Sequence, residues 1–437
     1  MRLNRIEARP TIPTHEGAPG VLDNPERELR RAVMSCLLWE NQFYESGQDI
    51  ANRICGLAEL VDPAVLVRII IEARTVHNLR HIPLLLLTVL AKTGRCGRAD
   101  VVGTVAQVIQ RADEMGELIS IYWRNGRKPL PSAFKKGIAR AMRKFSAYSL
   151  AKYNRDTAAV KLRDVLFLTH AKPVDIEQAH VWKSLVDGTL KSPDTWEVAL
   201  SSGADKNLTF TRLIHEGKLG YLALLRNLRN MTAAGVDPAI IQQAIIDRKG
   251  AHKVLPFRYV AAARACPQME PAIDRALCAA IGELPPLSGT TAVLVDVSGS
   301  MDDPISGKSD ITRMDAAATL ASILNGQLRV FTFSKGVVEV GARKGMAGVD
   351  AVINSQPHGG TDLGGAITYV NQVVTCDRII VITDEQSSTP VPLPVAKKAY
   401  MINVASYKPS VSYGPWVKIE GFSEGVLRFI AACENNR

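Results

Sequence analysis

Three short stretches carry oxygen-bearing side chains that could share one hard cation. They are Asp296-Val-Ser298-Gly-Ser300, Gly359-Gly-Thr361-Asp362 and Thr383-Asp384. In the first, alternate residues fall on one side of an extended turn, and Gly299 permits the bend. Carboxylate and hydroxyl oxygens from three loops suit Mg²⁺ or another hard divalent cation. Mg²⁺ prefers six oxygens, so two carboxylates and three hydroxyls leave a position for an incoming oxygen. An acidic side chain of a partner protein could fill it. The first stretch alone would be an ordinary turn with Asx-type hydrogen bonds. The weight comes from having all three in order, each at the end of an expected strand or the start of an expected helix. Asp302, Asp303 and Asp362 read as solvated loop acids. No general base is placed beside the set, and no GxxxxGK[ST], GxSxG or Cys/His nucleophile motif is present. The set reads as a binding device without a nucleotide cofactor.

A second chemistry lies upstream. The 437-residue chain has a formal net charge of +10. Residues 286–437 contribute 13 basic and 14 acidic side chains, so the excess lies before them. Arg124 to Arg163 holds twelve basic residues and a single acid, Asp156. A solvated face usually mixes both signs, so this segment points to a polyanion. Within it, Lys136, Arg140, Arg143 and Lys144 fall on a different face from the apolar stripe Phe134, Ile138, Met142 and Phe145. Lys152 and Arg155 follow, and a second helix brings Lys161, Arg163, His170 and Lys172. Such a patch makes phosphate contacts, which carry charge rather than base identity. Aromatic residues are only 6%, and no RNP1 or KH signature occurs. Base stacking is therefore expected to be minor.

The elements that must position these groups come in two kinds. Residues 1–25 hold four prolines and read as an extended arm. From Glu26 to about Gly282 the apolar spacing is helical. It predicts helices at Pro63–Arg74, Ile82–Lys92, Val101–Glu114, Ser132–Tyr153, Leu162–Ala171, Leu219–Ala234 and Pro238–Arg248. Consecutive helical pairs suggest stacked hairpins of the HEAT type, an α-solenoid. The stretch Gly282–Thr290 has two prolines and two glycines, making 283–290 a linker. Beyond it, strands at Thr291–Ser298, Leu328–Ser334, Arg378–Asp384 and Tyr400–Ala405 alternate with helices at Arg313–Leu324, Leu363–Val374 and Glu424–Cys433. That is a doubly wound α/β domain over 291–437 with a parallel sheet, and ligands bind at the C-terminal ends of such strands.

The seven cysteines are odd in number and form no CxxC pair, which argues against a zinc site and a disulfide framework. The N-terminus has no apolar core of a signal peptide. The longest aliphatic run, Ile82 to Leu90, is too short to span a bilayer. No membrane association is expected, and the chain reads as cytoplasmic.

The three oxygen-rich stretches resemble the metal-ion-dependent adhesion site of von Willebrand factor A domains. That resemblance implies that Asp296, Ser298 and Ser300 are ligands. Thr361 would bind directly or through water, and Asp384 mainly through water. LPSAFKKGIARAMRKFSAYSLAKYNR, LRDVLFLTHAKP, YLALLRNLRNMTAAGV and VLPFRYVAA resemble blocks of the TROVE domain in the Ro ribonucleoprotein family. The similarity runs from about Glu26 to the end. It implies a ring of helical hairpins over 26–282, closed by the A-type domain. It also implies binding of small structured Y-like RNA and capture of single-stranded RNA 3′ ends in RNA quality control, sometimes with an exoribonuclease. Lys152, Arg155 and His170 fall where the family has RNA-lining residues. His170 alone would read as a helix-end cap or a core residue. The expectation is thus a non-enzymatic RNA-binding protein. The alternative is a metal-dependent protein-interaction scaffold with no RNA role, which would not need the cationic segment.

Overall fold

The computed structural model describes residues 11–13, 19–21, 24–35, 47–254, 256–284, 286–305, 311–405, 415–420, 426, 430 and 434. Most of the expected helix Glu424–Cys433 and most of the arm 1–25 lie outside these residues. The chain forms two compact units, residues 51–219 and residues 1–50 with 220–437.

The chain begins with β1 (Thr11–Pro13), antiparallel to β2 (Pro19–Val21), and then α1 (Pro25–Ser35). The helical unit follows: α2 (Gly47–Leu60), α3 (Pro63–Thr75), α4 (His81–Thr93), α5 (Arg98–Val108), α6 (Asp113–Tyr122), α7 (Ser132–Met142), α8 (Ala147–Tyr153), α9 (Leu162–Thr169), α10 (Ile176–Asp187), α11 (Trp196–Ser201) and α12 (Lys206–His215). Local chemistry sets the boundaries. Asp62 accepts hydrogen bonds from the backbone N–H groups of Ala64 and Val65, and Pro63 opens α3 with its φ already fixed. Gly94 ends α4 in the left-handed region, at φ 62°. Every residue from Ile82 to Leu90 is buried, so the aliphatic run is the unit's core helix. Gly137 lets α7 press onto α5: an added Cβ would sit 2.6 Å from Val105 Cβ.

Two long helices expected from periodicity are broken. Val101–Glu114 divides into α5 and α6 because buried Glu114 turns back and accepts the backbone N–H groups of Gln110 and Arg111. Its other oxygen accepts from Arg74, which also donates to the Val108 carbonyl. Ser132–Tyr153 divides into α7 and α8 because Ser146 caps a new helix by accepting from the Ser149 N–H. Arg143 and Lys144 therefore lie in the break, off any regular helix face.

The other unit carries α13 (Tyr221–Arg226), α14 (Leu228–Ala233), α15 (Pro238–Asp247), α16 (Phe257–Ala265) and α17 (Glu270–Gly282), followed by a six-stranded sheet. The expected Leu219–Ala234 helix also splits, at buried Asn227, whose amide donates to the Ala223 carbonyl. The strands are β3 (Leu287–Asp296), β4 (Gly326–Phe333), β5 (Val337–Val340), β6 (Arg378–Thr383), β7 (Lys398–Asn403) and β8 (Val417–Glu420), in the order β5-β4-β3-β6-β7-β8. β3 begins at Leu287, inside the stretch read as a linker. The sheet is mixed rather than purely parallel. β5 runs antiparallel to β4 after a tight turn closed by the Ser334 N–H on the Gly336 carbonyl.

Helices cover both faces. α18 (Arg313–Ile323) and α19 (Gly345–Ile353) pack together, and α18 lies on β3 and β6. α20 (Leu363–Val373) covers the opposite face. Its Leu363, Ala366, Ile367 and Val370 join Leu294, Phe331, Phe333, Val381 and Met401 in one buried cluster. Thr312 and Asp315 start α18 as a reciprocal capping box. At the N-terminal end of the central strands, fully buried Arg378 meets the Glu434 carboxylate, which also receives Lys398 Nζ and Tyr400 Oη. This network fixes the sheet whose opposite ends carry the oxygen-rich loops.

Candidate functional site

β3 and β6 are neighbouring parallel strands, with Val295 opposite Ile382. Their register therefore delivers Asp296 and Thr383-Asp384 side by side at the C-terminal sheet edge. Asp296 and Asp384 are fully buried, and Ser298 is nearly so. Asp296 Oδ1 accepts the Ser298 N–H at 2.9 Å, and its Oδ2 accepts the Thr383 hydroxyl at 2.6 Å. The Ser298 and Ser300 hydroxyls stand 3.3 Å apart. The Gly359–Thr361 loop is drawn in by the Gly299 N–H on the Gly359 carbonyl, at 2.9 Å. The structure thus gathers Asp296, Ser298, Ser300 and Asp384 directly and ties the Thr361 loop to them.

Burial and mutual repulsion set the electrostatics. Loss of solvation, then the nearby Asp384 charge, pushes the Asp296 carboxyl up to about 7. Burial likewise raises Asp384, partly offset by the Ser300 hydroxyl and the Gln386 N–H. Asp384 Oδ1 accepts that N–H, while buried Oδ2 has no hydrogen-bond partner. Buried polar atoms are normally satisfied. An orphan carboxylate oxygen beside a second buried carboxylate and two hydroxyls is a donor set that fits a divalent cation. Among the described residues no three His, Cys, Asp or Glu side chains cluster as a metal set, so hydroxyls must share any coordination.

The extra acids are committed elsewhere. Asp302 meets His358 Nδ1 at 3.1 Å, Asp303 lies 3.4 Å from Arg313, and Asp362 caps α20 through the Gly365 N–H. The sequence reading missed Thr383 as the hydroxyl that orients Asp296. It also missed Glu385, which turns the chain at φ 60° and pairs with Lys418 Nζ at 3.4 Å. Alternation in Phe333-Ser-Lys-Gly-Val-Val-Glu-Val340 was the available signal for β5, whose turn carries Lys335 over Gly359.

The cationic segment lies in the helical unit. Lys136 and Arg140 are exposed on α7, Lys152 on α8, Arg155 in the following loop and His170 at the end of α9. None of these five makes an ion pair among the described residues. His170 occupies the C-cap of α9 with left-handed φ 52°, so the capping role holds for its backbone while its side chain points outward. Arg143 and Lys144 are different. Arg143 Nε donates to the Lys172 carbonyl at 2.9 Å, joining the end of α7 to the α9–α10 connection. Lys144 Nζ donates to the carbonyls of Ala106 and Ile109 at the C-terminal end of α5, and burial holds its pKa below the usual lysine value. A cation on those orphan carbonyls stabilises a helix end. Lys144→Ala should therefore cost about 1 kcal/mol of unfolding free energy in a urea titration.

Residues 181–277 match the family model of the TROVE domain. That match lies beyond the cationic segment. A stretch of 76 residues is 33% identical to Telomerase protein component 1 of Mus musculus, amounting to 16% of this chain and 3% of that protein. The chain thus spans a small fraction of that curated relative. The crystal structure of the Deinococcus radiodurans RO (RSR) protein aligns over 93% of this chain and 99% of that one, with TM-score 0.63 and 19% identity. At that identity the likeness is one of fold. Among the described residues no helix is long and apolar enough to cross a membrane. Residues 181–277 thus carry a TROVE-domain match, and the chain shares the fold of a Ro protein along nearly its whole length.

Proposed function

We propose that the protein is a non-enzymatic RNA-binding scaffold of the cytoplasm. It holds a small structured, Y-like noncoding RNA, captures single-stranded RNA 3′ ends for quality control or processing, and works beside an exoribonuclease. The observation that carries this reading is the set of exposed, unpaired cations Lys136, Arg140, Lys152 and Arg155 in a segment with a single acid. Phosphates supply the missing negative charge. The A-type domain, near neutral in charge, would hold Mg²⁺ or another divalent cation through Asp296, Ser298, Ser300, Thr361 and Asp384. The bound ion would supply a Lewis-acid position for an acidic side chain of a protein partner. Asp296 and Asp384 would neutralise the ion, and Thr383 would keep Asp296 aimed at it.

The direct test is purification without nuclease. The protein should carry RNase-sensitive nucleic acid, visible as a raised 260 to 280 nm absorbance ratio that falls after RNase and a high-salt wash. Protein that emerges free of nucleic acid and binds no small structured RNA at micromolar concentration would overturn the RNA role. The metal-dependent interaction scaffold would then stand.

A further inference from the structure

We infer that the outward face of α9, centred on Phe167, is a base-stacking platform for single-stranded RNA. This deepens the RNA-binding reading and rests on it. The α9 residues Leu162, Val165, Leu166 and Thr169 are buried. Helical geometry then turns Arg163, Phe167 and His170 outward together, at i, i+4 and i+7. Phe167 is 61% exposed. A phenyl ring left in water between two potential cations is not required by the core, because the other side of the helix already fills it.

α8 repeats the arrangement. Leu150 is buried, while Tyr148 is 50% exposed with Lys152 one turn further on, its ammonium 6.0 Å from the tyrosine ring. Both helices pack against α10. The nearby acids are partly neutralised: Asp156 meets Lys161 at 3.2 Å and Asp164 lies 3.9 Å from Arg163. Positive charge that tracks a phosphate backbone, interleaved with aromatic faces that accept any base, is the chemistry that binds unpaired strands. An acidic protein would use the cations but has no need of an exposed ring. A duplex would meet the phosphate-binding cations, but its bases are already stacked. The low aromatic content of the chain suggests little stacking, yet the fold places two of its few rings on the cationic surface.

The test uses the full chain and three fluorescent probes: an oligoadenylate 12-mer, an abasic 12-mer with the same phosphates, and a 12-base-pair RNA duplex. Wild type should bind the oligoadenylate more tightly than the abasic strand. Phe167→Ala and Phe167→Leu should each weaken oligoadenylate binding about tenfold, the scale of one lost base–aromatic stack. Phe167→Trp should retain it. The abasic strand should bind all four proteins alike, since its phosphates meet unchanged cations. Because Phe167 is exposed, its removal should leave the melting temperature unchanged. Wild-type oligoadenylate affinity in Phe167→Leu would overturn the inference and leave the ring to a protein partner. An equal loss for oligoadenylate and abasic strand in Phe167→Ala would overturn it as well. Wild type that binds none of the three probes would overturn the RNA reading itself, and this inference with it.

Discussion

Asp296→Asn should stabilise the sheet domain in the presence of a chelator near neutral pH, and destabilise it relative to wild type when Mg²⁺ is abundant. Asp296 and Asp384 are buried side by side, and Asp296 is raised to about 7 by lost solvation and by its neighbour's charge. The unfolded carboxyl releases its proton near pH 4, while the folded one holds it to about pH 7. The folded state therefore binds more protons across that window, and its stability falls as pH rises. Three pH units at about 1.4 kcal/mol each make the metal-free penalty roughly 4 kcal/mol as an upper figure. Asparagine removes the charge and keeps the shape. Its carbonyl can accept the Ser298 N–H, and the Thr383 hydroxyl can reverse to accept from its amide. The variant's unfolding free energy should consequently fall less steeply from pH 4 to 7 than the wild type's, the remaining decline coming from buried Asp384. A cation reverses the order once free Mg²⁺ exceeds about one thousand times Kd, because binding only the folded form then adds about 4.1 kcal/mol by mass action. Denaturant titrations with EDTA or Mg²⁺ at pH 5 and 7 decide the matter. Parallel pH profiles for the two proteins, with no Mg²⁺ response in wild type, would remove the cation from this site.

How much of this was legible in the sequence depends on the range of the interaction involved. The oxygen-rich loops were readable because each borders an element marked by its own apolar pattern, a helix for Gly359–Asp362 and strands for the others, such as Arg378 to Thr383, which is buried throughout. Parallel pairing of β3 with β6 then brings Asp296 and Asp384 together with no further information. The partner of Asp296 was less visible, since Thr383 reaches it only through cross-strand register over 87 residues. The same holds for Glu114 and Arg74, 40 residues apart. Periodicity saw one continuous helix there and could not foresee a buried carboxylate capping a break. Lys144 shows the limit most clearly. Its type and position argue for phosphate contact, but tertiary packing gives its ammonium two helix-end carbonyls instead.

That distinction selects the second large effect. Replacing Lys136, Arg140, Lys152 and Arg155 together by alanine removes four exposed cations that make no ion pair among the described residues. Each single-strand phosphate contact contributes about 0.7 to the slope of log affinity against log salt. Four contacts amount to nearly three, so the variant should lose roughly two to three decades of RNA affinity at about 0.1 M salt. Folding should be almost unaffected, because exposed side chains of this kind contribute little to stability.

In the proposed function, RNA is held by the helical unit's cations while the buried carboxylate pair serves a separate, protein-directed cation. One salt titration by filter binding tests it most directly. It compares wild type, the quadruple alanine variant and Asp296→Asn, using an RNA whose fold does not require Mg²⁺. Wild type and Asp296→Asn should give the same affinity and the same steep slope, with or without Mg²⁺, while the quadruple variant binds weakly with a slope shallower by about three. If Asp296→Asn instead loses RNA as the quadruple variant does, the metal site contacts the nucleic acid and the division between the two sites is contradicted.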